Sequence, residues 1–593
     1  MWGQAPTPGQ RPSPKRDDQE VSLLGRLLKQ PQPGKRQNRR QQAEAALPYV
    51  ALAVAALSVV KVVLGKRDQA QKSQKATKRP TALWKNARAA HQQHIFDDWD
   101  LLTDEQRQEL TKQLEAVDLA HVNAIFERSN QPASEATASP VEDVDITKLS
   151  ELSTSSELDY IRTGLELILK DQVAVVLLAG GQGTRLGSND PKGCYDIGLP
   201  SSRSLFQLHA ERIKRLQHVA ALHDAKGRKP SARPLIKWYI MTSSATDAAT
   251  RAYFEQKKNF GLDKSQVMFF QQGTLPCLTA EGKVIMASGH SLATAPDGNG
   301  GVFTALKRSG MLKDMASKGV VCVDCVSVDN ALVRPADPLF LGLCHQHEAE
   351  CGSRVLARLH ARERVGVFAR RNDRLQVIEY SELDADDASS SDPSTGLLRY
   401  NWSNVCMHYF SVAFLERIAT SLQDSMVHHL AHKSIPSKDG PVRGVKLEQF
   451  IFDPFPHARA QVLLEVARDE QFAPVKNAPG SASDSPDTAC AALLDLHTRW
   501  VRAAGGTVKL EGNRQPSVVE VAPLVSYAGE GLQKLCQDRT LRQPFDVFLQ
   551  GTVGAELVSR RASLEGADRG PSSSPQRALG SQHRRSGLCT LLP

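Results

Sequence analysis

A glycine-rich stretch with two basic residues is the part of this sequence whose chemistry is clearest. The apolar run Val173–Leu178 predicts a buried strand, and it is followed at once by Ala-Gly-Gly-Gln-Gly-Thr-Arg-Leu-Gly. Glycines at the end of a strand let backbone N–H groups approach a phosphate chain. Arg185 and Lys192, on the same loop, would neutralise that chain's charge. The combination predicts a loop that binds a polyphosphate.

The spacing of the loop separates it from two common phosphate-binding motifs. Gly181, Gly183 and Gly187 follow the pattern G-x-G-x-x-x-G, which is not the dinucleotide fingerprint and disfavours an NAD-dependent oxidoreductase. Lys192 is followed by Gly193 rather than by Ser or Thr, so the loop is not a Walker A motif either. A structural turn without a ligand is the alternative, and the fixed offset of the Arg and the Pro-Lys pair argues against it.

Two other groups of residues have a spacing that invites a metal interpretation. Cys322 and Cys325 lie inside a strand-like run with no second Cys or His pair near them, which favours structural burial. Three histidines fall at metal-like spacing on a predicted helix: His428, His429 and His432. No acid or fourth ligand accompanies these histidines in the sequence, so we do not interpret them as a metal site.

The elements around the loop alternate between two periodicities. Short apolar runs predict strands at residues 173–178, 236–242, 267–270, 320–328 and 354–356. Helical patterns at 204–221 and 247–259 lie between them. This βαβ rhythm predicts a mostly parallel sheet covered on both faces, in which ligands bind at the carboxyl ends of the strands.

A helical unit precedes the sheet. Thr103 and Gln106 fit a capping box, and Leu110 and Leu114 follow at helical spacing. Residues 129–151 are rich in Ser, Thr, Pro and acids and predict a linker.

Charge is concentrated at the two ends of the chain. The net charge of +9 comes from the tails 1–80 and 553–593, and residues 81–552 carry −5 by themselves. A basic groove for a polynucleotide is therefore not expected. Both tails lack the apolar residues of a core and are predicted to be disordered. The 10 scattered cysteines show no disulfide framework and indicate a cytoplasmic protein.

One apolar segment interrupts the basic N-terminal tail. Residues 45–64 could just cross a hydrocarbon layer of about 30 Å, with basic residues on both sides. A membrane anchor, a cleaved targeting segment and an exposed helix all stay open for this segment. Contact with a membrane through 45–64 is thus one of three interpretations.

A series of motifs extends over about residues 90–535. It includes the loop described above, Tyr195-Asp-Ile-Gly-Leu-Pro-Ser201, Phe269-Phe-Gln-Gln-Gly273, Ala295-Pro-Asp-Gly-Asn-Gly-Gly301, Val328-Asp-Asn330, Val377-Ile-Glu-Tyr380, Gly444-Val-Lys-Leu-Glu448 and Pro523-Leu-Val-Ser-Tyr-Ala-Gly-Glu-Gly531. In this order the motifs resemble the eukaryotic UDP-N-acetylhexosamine pyrophosphorylases. Coverage of this length is far more specific than any single motif.

The resemblance implies an α/β fold in three parts. A Rossmann-like domain of the nucleotide-diphosphosugar transferase (GT-A) type would occupy residues 151–440. The helical unit and linker would occupy 81–150, and a smaller C-terminal part would occupy 441–552. The tails 1–80 and 553–593 would flank them.

The resemblance also implies roles for individual residues. UTP binding falls on Leu178, Ala179, Gly180, Gly181, Gln272, Gly298 and Lys476. Catalytic cations fall on Arg185, Lys192 and Lys446. Sugar-binding positions fall on Asn299, Glu379, Tyr380 and Asn401, and Asp329 corresponds to the acid near a magnesium ion.

The implied reaction joins the uridylyl group of UTP to N-acetylglucosamine 1-phosphate, with Mg²⁺ as cofactor and pyrophosphate as the second product. Trp402 and Ser403 stand where relatives usually have Ala and Gly, and this difference predicts added bulk beside the sugar. Glucose, galactose and both N-acetylhexosamine 1-phosphates therefore stay open as substrates, with a UDP-glucose or broader UDP-sugar pyrophosphorylase as the alternative enzyme. A membrane-tethered scaffold that binds nucleotide sugar without catalysis is the alternative of another class. The sequence gives no indication of the oligomeric state.

Overall fold

The computed structural model describes residues 79–131, 138–225, 233–422, 426–509 and 519–542, together with the strands Asp546–Gln550 and Ala555–Ser559. The predicted N-terminal tail, apart from its last two residues, lies outside the described residues, and so does its apolar segment 45–64. None of the described helices combines the length and the hydrophobicity that crossing a bilayer requires.

The strands of the described chain are numbered in chain order. They are β1 Ser139–Pro140, β2 Ile146–Lys148, β3 Val173–Leu178, β4 Lys237–Thr242, β5 Val267–Gln271, β6 Thr274–Pro276, β7 Met286–Ser288, β8 Ser291–Leu292, β9 Thr294–Pro296, β10 Cys322–Ser327, β11 Cys351–Ala357, β12 Gly366–Arg371, β13 Arg374–Ile378, β14 Trp402–Ser411, β15 His429–Ile435, β16 Val442–Glu448, β17 Gln461–Glu465, β18 Thr507–Lys509, β19 Glu520–Val521, β20 Thr540–Arg542, β21 Asp546–Gln550 and β22 Ala555–Ser559.

The α-helices are numbered in the same way. They are α1 Thr81–Ala89, α2 Asp104–Glu115, α3 Leu119–Ser129, α4 Thr154–Leu169, α5 Leu205–Ala225, α6 Asp247–Gln256, α7 Val302–Arg308, α8 Met311–Ser317, α9 Pro338–Gln346, α10 Ala385–Ser389, α11 Val412–Arg417, α12 Arg468–Gln471, α13 Pro486–Ala503 and α14 Gln533–Cys536.

A large sheet forms the centre of the fold. Its main path runs β2-β17-β11-β14-β10-β3-β4-β5, with β12 paired to β14 and carrying β1 and β13. Strands β10, β3, β4 and β5 are parallel, and so are β11, β17 and β2. Strand β14 is antiparallel to β10, β11 and β12, so the mostly parallel sheet predicted from the sequence has a reversed strand at its middle. Strands β1 and β13 are antiparallel to β12 as well.

Strand β3 shows why both faces of this sheet are covered. Val173, Val175 and Leu177 pack into one apolar cluster with helices α4, α5 and α9. Ala174 and Val176 pack into a second cluster with α7, α8 and α11 on the opposite face. Side chains alternate along a strand, and a strand that is apolar at every position must be buried on both sides.

Helices α4 and α9 cross with almost no space between their backbones. A Cβ atom at Gly342 would lie 1.8 Å from the carbonyl oxygen of Tyr160, and one at Gly164 would lie 2.0 Å from that of Pro338. Glycine is therefore required on both helices at the crossing.

The direction of the strands brings several chain segments to one edge of the sheet. The carboxyl ends of β3, β4, β5 and β10 lie at this edge because these strands are parallel. The amino end of β14 lies there too, because β14 runs the other way. Parallel sheets bind ligands at this edge, and the loops after the strands supply the contacting residues.

The N-terminal helices pack against hairpins rather than standing apart. Thr103 Oγ1 accepts from Gln106 N at 3.3 Å and Thr103 N donates to Gln106 Oε1 at 2.9 Å, which is the predicted capping box at the start of α2. Buried residues of α1, α2 and α3 share one apolar cluster with Met286 of β7 and Leu447 of β16. The helical unit thus supports the hairpin β15–β16.

The central sheet combines strands from three of the predicted units. Strand β2 from the predicted linker and β17 from the predicted C-terminal part both enter the central sheet. The boundary at residue 440 falls inside the turn that joins β15 to β16. Local composition marks polar turns, and it does not show which strands pair across them.

The predicted tail 553–593 begins too early. Strand β22 pairs antiparallel with β21, which is also paired with β19. The segment Ala-Glu-Leu-Val-Ser at 555–559 alternates well enough for a short strand, although the average composition of the tail hides it. The rest of this predicted tail lies outside the described residues.

Candidate functional site

The loop after β3 folds back on itself. Ala179 N donates to Met241 O at 2.8 Å, which extends the pairing with β4 by one residue. Lys192 N donates to Gly181 O at 3.1 Å, so the far end of the loop returns to its glycine-lined start. This closure places the Lys192 side chain beside the backbone predicted to receive a phosphate chain.

The loop lines an open cleft with a volume of about 360 Å³. Its lining residues are Gln182, Thr184, Arg185, Leu186 and Lys192. Arg185 is exposed, and Lys192 is half-buried. Both predicted cations therefore border the same cleft, with the charge that a polyphosphate requires.

Lys192 meets the predicted metal-binding acid. Its Nζ lies 3.5 Å from Oδ2 of Asp329, which follows the end of β10. The Ser327 hydroxyl donates to the other carboxylate oxygen, Oδ1, at 2.7 Å. Side-chain exposure is 19% for Lys192 and 15% for Asp329, so the pair is shielded from solvent but still reachable.

Gly180 lies against the residues that follow β4 and β5. The Ser243 hydroxyl donates to Gly180 O at 2.8 Å. A Cβ atom at position 180 would lie only 2.9 Å from Gln272 Oε1. The glycine thus allows Gln272, a predicted nucleotide contact, to approach the loop, whereas Leu178 and Ala179 are buried below it.

Gln272 also connects to the second glycine-rich segment. Its Nε2 donates to the carbonyl oxygen of Gly298. Gly298 has φ 86°. A Cβ atom at Gly298 would lie 2.2 Å from Gln449 O, so only glycine fits here. The predicted contacts Gly180, Gln272 and Gly298 therefore form one continuous group.

Residues 449–453, after β16, hold the segment that contains Asn299. Gln449 N donates to Asp297 O at 2.8 Å, and Gly300 N donates to Gln449 O at 2.9 Å. Ile451 N donates to Asn299 Oδ1 at 3.0 Å. The side chain of this predicted sugar-binding residue is thereby fixed in orientation.

Three other predicted sugar-binding residues differ in exposure. Glu379 is half-buried, and burial followed by the charge of Glu382 raises the pKa of its carboxyl group. Tyr380 is 46% exposed, whereas Asn401 is buried at the amino end of β14. The backbone oxygen of Asn401 accepts from Arg358 N at 2.9 Å.

The two remaining predicted lysines lie in different places. Lys476 is close enough to Glu379 to lower the pKa of that carboxyl group, although burial has the larger, opposite effect. Its Nζ lies 5.9 Å from the centre of the Phe472 ring. Lys446 is on β16, near Cys277, and within the described chain it makes no ion pair with Asp329. The structure thus associates Lys476 with the sugar-side residues but does not join Lys446 to the Lys192–Asp329 pair.

Trp402 and Ser403 do not add bulk as predicted. The Trp402 indole is 4% exposed and belongs to the apolar cluster between the sheet and α7. Ser403 is fully buried, and its hydroxyl donates to Leu356 O at 2.7 Å. Both side chains are part of the core, which the local comparison of residue size could not reveal.

The three histidines lie differently from the prediction. Residues 429–435 form strand β15 and not a helix. The acids absent from the neighbouring sequence are supplied by other segments. His429 Nδ1 lies 3.2 Å from Glu382 Oε1, and Nε2 lies 3.0 Å from Asp453 Oδ1. His428 is a separate case, because burial lowers its pKa to about 4.

Sequence reasoning missed several residues of this region. Ser243 follows directly after a predicted strand, and that position was an available signal. Asp297 is buried at 8% exposure, and a Cβ atom at Gly273 or Gly301 would overlap its carboxylate. The glycines around it were visible in the sequence, but their packing against Asp297 was not.

Comparison with known proteins gives the family. The family model described as UTP–glucose-1-phosphate uridylyltransferase matches residues 73–534. The chain belongs to this family. The reaction class inferred from the loop and its resemblance, nucleotidyl transfer by an α/β enzyme, is therefore confirmed.

Within this uridylyltransferase family, the chain is similar to enzymes named for UDP-N-acetylglucosamine. UDP-N-acetylglucosamine diphosphorylases 2 and 1 of Arabidopsis thaliana are each 48% identical, over 77% of this chain and 92% and 91% of theirs. A solved structure, that of the uridine diphosphate N-acetylglucosamine pyrophosphorylase of Trypanosoma brucei with an inhibitor, is 32% identical with a TM-score of 0.69. It covers 77% of this chain and 94% of its own.

Proposed function

We propose that this chain converts UTP and N-acetylglucosamine 1-phosphate to UDP-N-acetylglucosamine and pyrophosphate. The observation that carries the proposal is the placement of Lys192 on the glycine-lined loop, 3.5 Å from Asp329 and beside the cleft that Arg185 borders. The names of the plant relatives at 48% identity support N-acetylglucosamine as the sugar.

The reaction needs charge stabilisation more than acid–base catalysis. An anionic oxygen of the sugar phosphate attacks the α-phosphorus of UTP, the new P–O bond forms, and the bond to pyrophosphate breaks with its electron pair on the leaving oxygen. No proton has to be removed from the nucleophile. Arg185 and Lys192 stabilise the negative charge on the bridging and leaving oxygens, and we assign Lys446 the same role from the hairpin β15–β16.

Asp329 is suited to hold a divalent cation, which we propose is Mg²⁺. Mg²⁺ is commonly bound by one or two carboxylates together with substrate phosphates and water. Asp329 provides one carboxylate, which contacts the cleft residue Lys192 and is already oriented by Ser327. The ion would polarise the phosphate oxygens. Lys192, 3.5 Å away, would prevent Asp329 and the phosphates from repelling one another.

The nucleotide and the sugar are assigned to neighbouring parts of the edge. Backbone from Leu178 to Gly181, with Gln272, Gly298 and Lys476, would bind UTP. Asn299, Glu379, Tyr380 and Asn401 would bind the sugar. The contact of Gln272 with both Gly180 and Gly298 supports the nucleotide assignment.

A panel of sugar phosphates tests the proposal. Pyrophosphate release is measured from UTP and Mg²⁺ with the 1-phosphates of N-acetylglucosamine, N-acetylgalactosamine, glucose and galactose. We expect the highest kcat/KM with N-acetylglucosamine 1-phosphate. The highest kcat/KM with glucose 1-phosphate, the sugar in the family's description, would instead establish the alternative enzyme.

We place this activity in the cytoplasm. The nine cysteines within the described residues are free thiols, in keeping with a reducing compartment. Cell fractionation of the full chain provides the test, and recovery of the activity with membranes would argue for an anchor in the segment 45–64.

A further inference from the structure

The residues assigned to the sugar lie on two separate segments. One is the segment with Asn299, which is held by residues 449–453. The other is the turn after β13, which contains Glu379 and Tyr380. A sugar bound between the two segments requires a fixed separation between them.

His429 connects these two segments. Its Nδ1 faces Glu382, whose backbone N donates to Glu379 O at 2.9 Å. Its Nε2 faces Oδ1 of Asp453, and the other oxygen of that carboxylate accepts from Phe450 N at 2.6 Å. One imidazole ring thus reaches from the Glu379 turn to residues 449–453.

The contacts of the ring favour its charged form. A neutral imidazole has a single N–H and could donate to only one of the two carboxylates, whereas the imidazolium donates to both. Burial opposes the charge, but the hydrogen bonds and charges of Asp453 and Glu382 outweigh it and raise the pKa of His429 to about 9. The Phe450 ring lies 4.3 Å away, centre to centre, and restricts the plane of the imidazole.

Groups of both signs lie around this ring, with two carboxylates in direct contact with it. Those that interact with His429 are Glu379, Glu382, Asp453 and His428. Arg371 faces Glu382, and Lys476 faces Glu379. Asp453 has a side chain only 5% exposed, so water cannot replace its partner. Without the imidazolium, Glu382 and Asp453 would face each other with no cation between them.

We propose that His429 is a positioning residue for the sugar 1-phosphate. As an imidazolium it holds the Glu379 turn and residues 449–453 at the separation that the sugar requires. The proposal rests on the uridylyltransferase function given above and adds to it a residue that touches neither the nucleotide loop nor the Lys192–Asp329 pair.

The test compares the wild type with H429Q. At pH 7.5 we expect the KM for N-acetylglucosamine 1-phosphate to rise about tenfold, in proportion to the loss of one charged hydrogen bond. The KM for UTP and kcat should stay within about twofold. H347Q is the matched control. His347 lies at the carboxyl end of α9 and contacts Tyr160 of α4, so its replacement should leave all three values unchanged.

A pH profile separates positioning from a general loss of stability. In the wild type the KM for the sugar 1-phosphate should rise as the pH passes about 9, because His429 loses its proton there. H429Q should lack this rise. A variant with wild-type KM and a wild-type profile would overturn the positioning role.

Two further results complete the test. If H429Q does not fold, E382Q replaces it, since E382Q keeps the His429–Asp453 pair and weakens the link to the Glu379 turn. E382Q also removes the charge that raises the pKa of Glu379, so the pH profile is measured for this variant as well. An unchanged KM for the sugar 1-phosphate in E382Q would then overturn the role. A wild type inactive with every sugar phosphate overturns the proposed function itself, which is a different outcome from an active wild type with an unaffected variant.

Discussion

Lys192 and Asp329 are 137 positions apart in the chain, yet their side chains meet at one point of the site. They meet because β3 and β10 are adjacent parallel strands, with Leu178 paired to Ser327. The distance of 3.5 Å is long for a charged hydrogen bond, so the Lys192 ammonium group remains available to a phosphate.

Replacement of this lysine should slow the chemical step. For K192A we expect kcat for pyrophosphate release to fall by about 10² to 10³, the usual cost of removing one group that stabilises transition-state charge. Circular dichroism should be unchanged, because the side chain is not in the core. K112A is the control, since Lys112 is exposed on α2. A K192A variant with the wild-type rate would remove Lys192 from the catalytic group.

Single residues of the site were predictable where the signal was local. The glycine loop, Arg185 and Lys192 share one short stretch, and Asp329 directly follows a recognisable strand. The partners of His429 were not predictable. Glu382 and Asp453 are 47 and 24 positions away from it, and only the folded chain brings them together.

Among the elements, helices α4 and α9 pack closely because each has a glycine, with no side chain, at the contact. Gly164 and Gly342 allow the helices to approach until backbone meets backbone. Helix α9 is buried from Pro338 to Cys344, and Asp337 caps its amino end by accepting from Leu339 N at 3.1 Å. The two helices pack against the same face of the sheet as Val173, Val175 and Leu177 of β3.

A methyl group at this crossing should be poorly tolerated. For G342A we expect the free energy of unfolding to fall by about 3 kcal/mol, because the added carbon would overlap a backbone carbonyl that cannot rotate away. In an uncrowded helix the same change stabilises by about 1 kcal/mol. The sign of the change in the free energy of unfolding, measured with urea, therefore shows whether the two helices are in close contact. A stabilised G342A would mean that they are not.

The sequence predicted the type of most central strands but not their arrangement. Runs such as Val173–Leu178 are apolar at every position, which indicates burial on both faces. An apolar run contains no information on its direction, so the reversal of β14 could not be predicted. The histidine spacing that suggested a helix at 428–432 was also compatible with a strand, and pairing with β16 decided it.

For the molecule as a whole, neutral histidines within the core link stability to pH. Burial lowers the pKa to about 3 for each of three such residues: His209, His408 and His497. Between about pH 6.5 and 3 the unfolded chain binds protons at these sites while the folded chain does not. Their contribution to stability is therefore lost as the pH falls below about 6.5.

One of these histidines offers a direct measurement. His408 is fully buried, and its Nδ1 lies 2.8 Å from the Ser353 hydroxyl oxygen. When the pH is lowered from 6 to 5, the free energy of unfolding of the wild type should fall by about 1 kcal/mol more than that of H408Q. The comparison concerns slopes, so the intrinsic cost of the substitution cancels. Equal slopes would mean that His408 takes up its proton in the folded state.

Among the described strands, β2 pairs with the central sheet through β17 alone, with Ile146 opposite Leu463. A ribosome adding about 5 to 20 residues per second would release Leu463 roughly 15 to 60 s after Ile146. Strand β11 ends at Ala357, so for about the last third of that interval, roughly 5 to 20 s, the nascent chain has β11 but no β17 to cover its edge. Synthesis of the enzyme thus includes a period in which an exposed strand edge is open to chaperones. Slower translation between the two strands should lengthen this period.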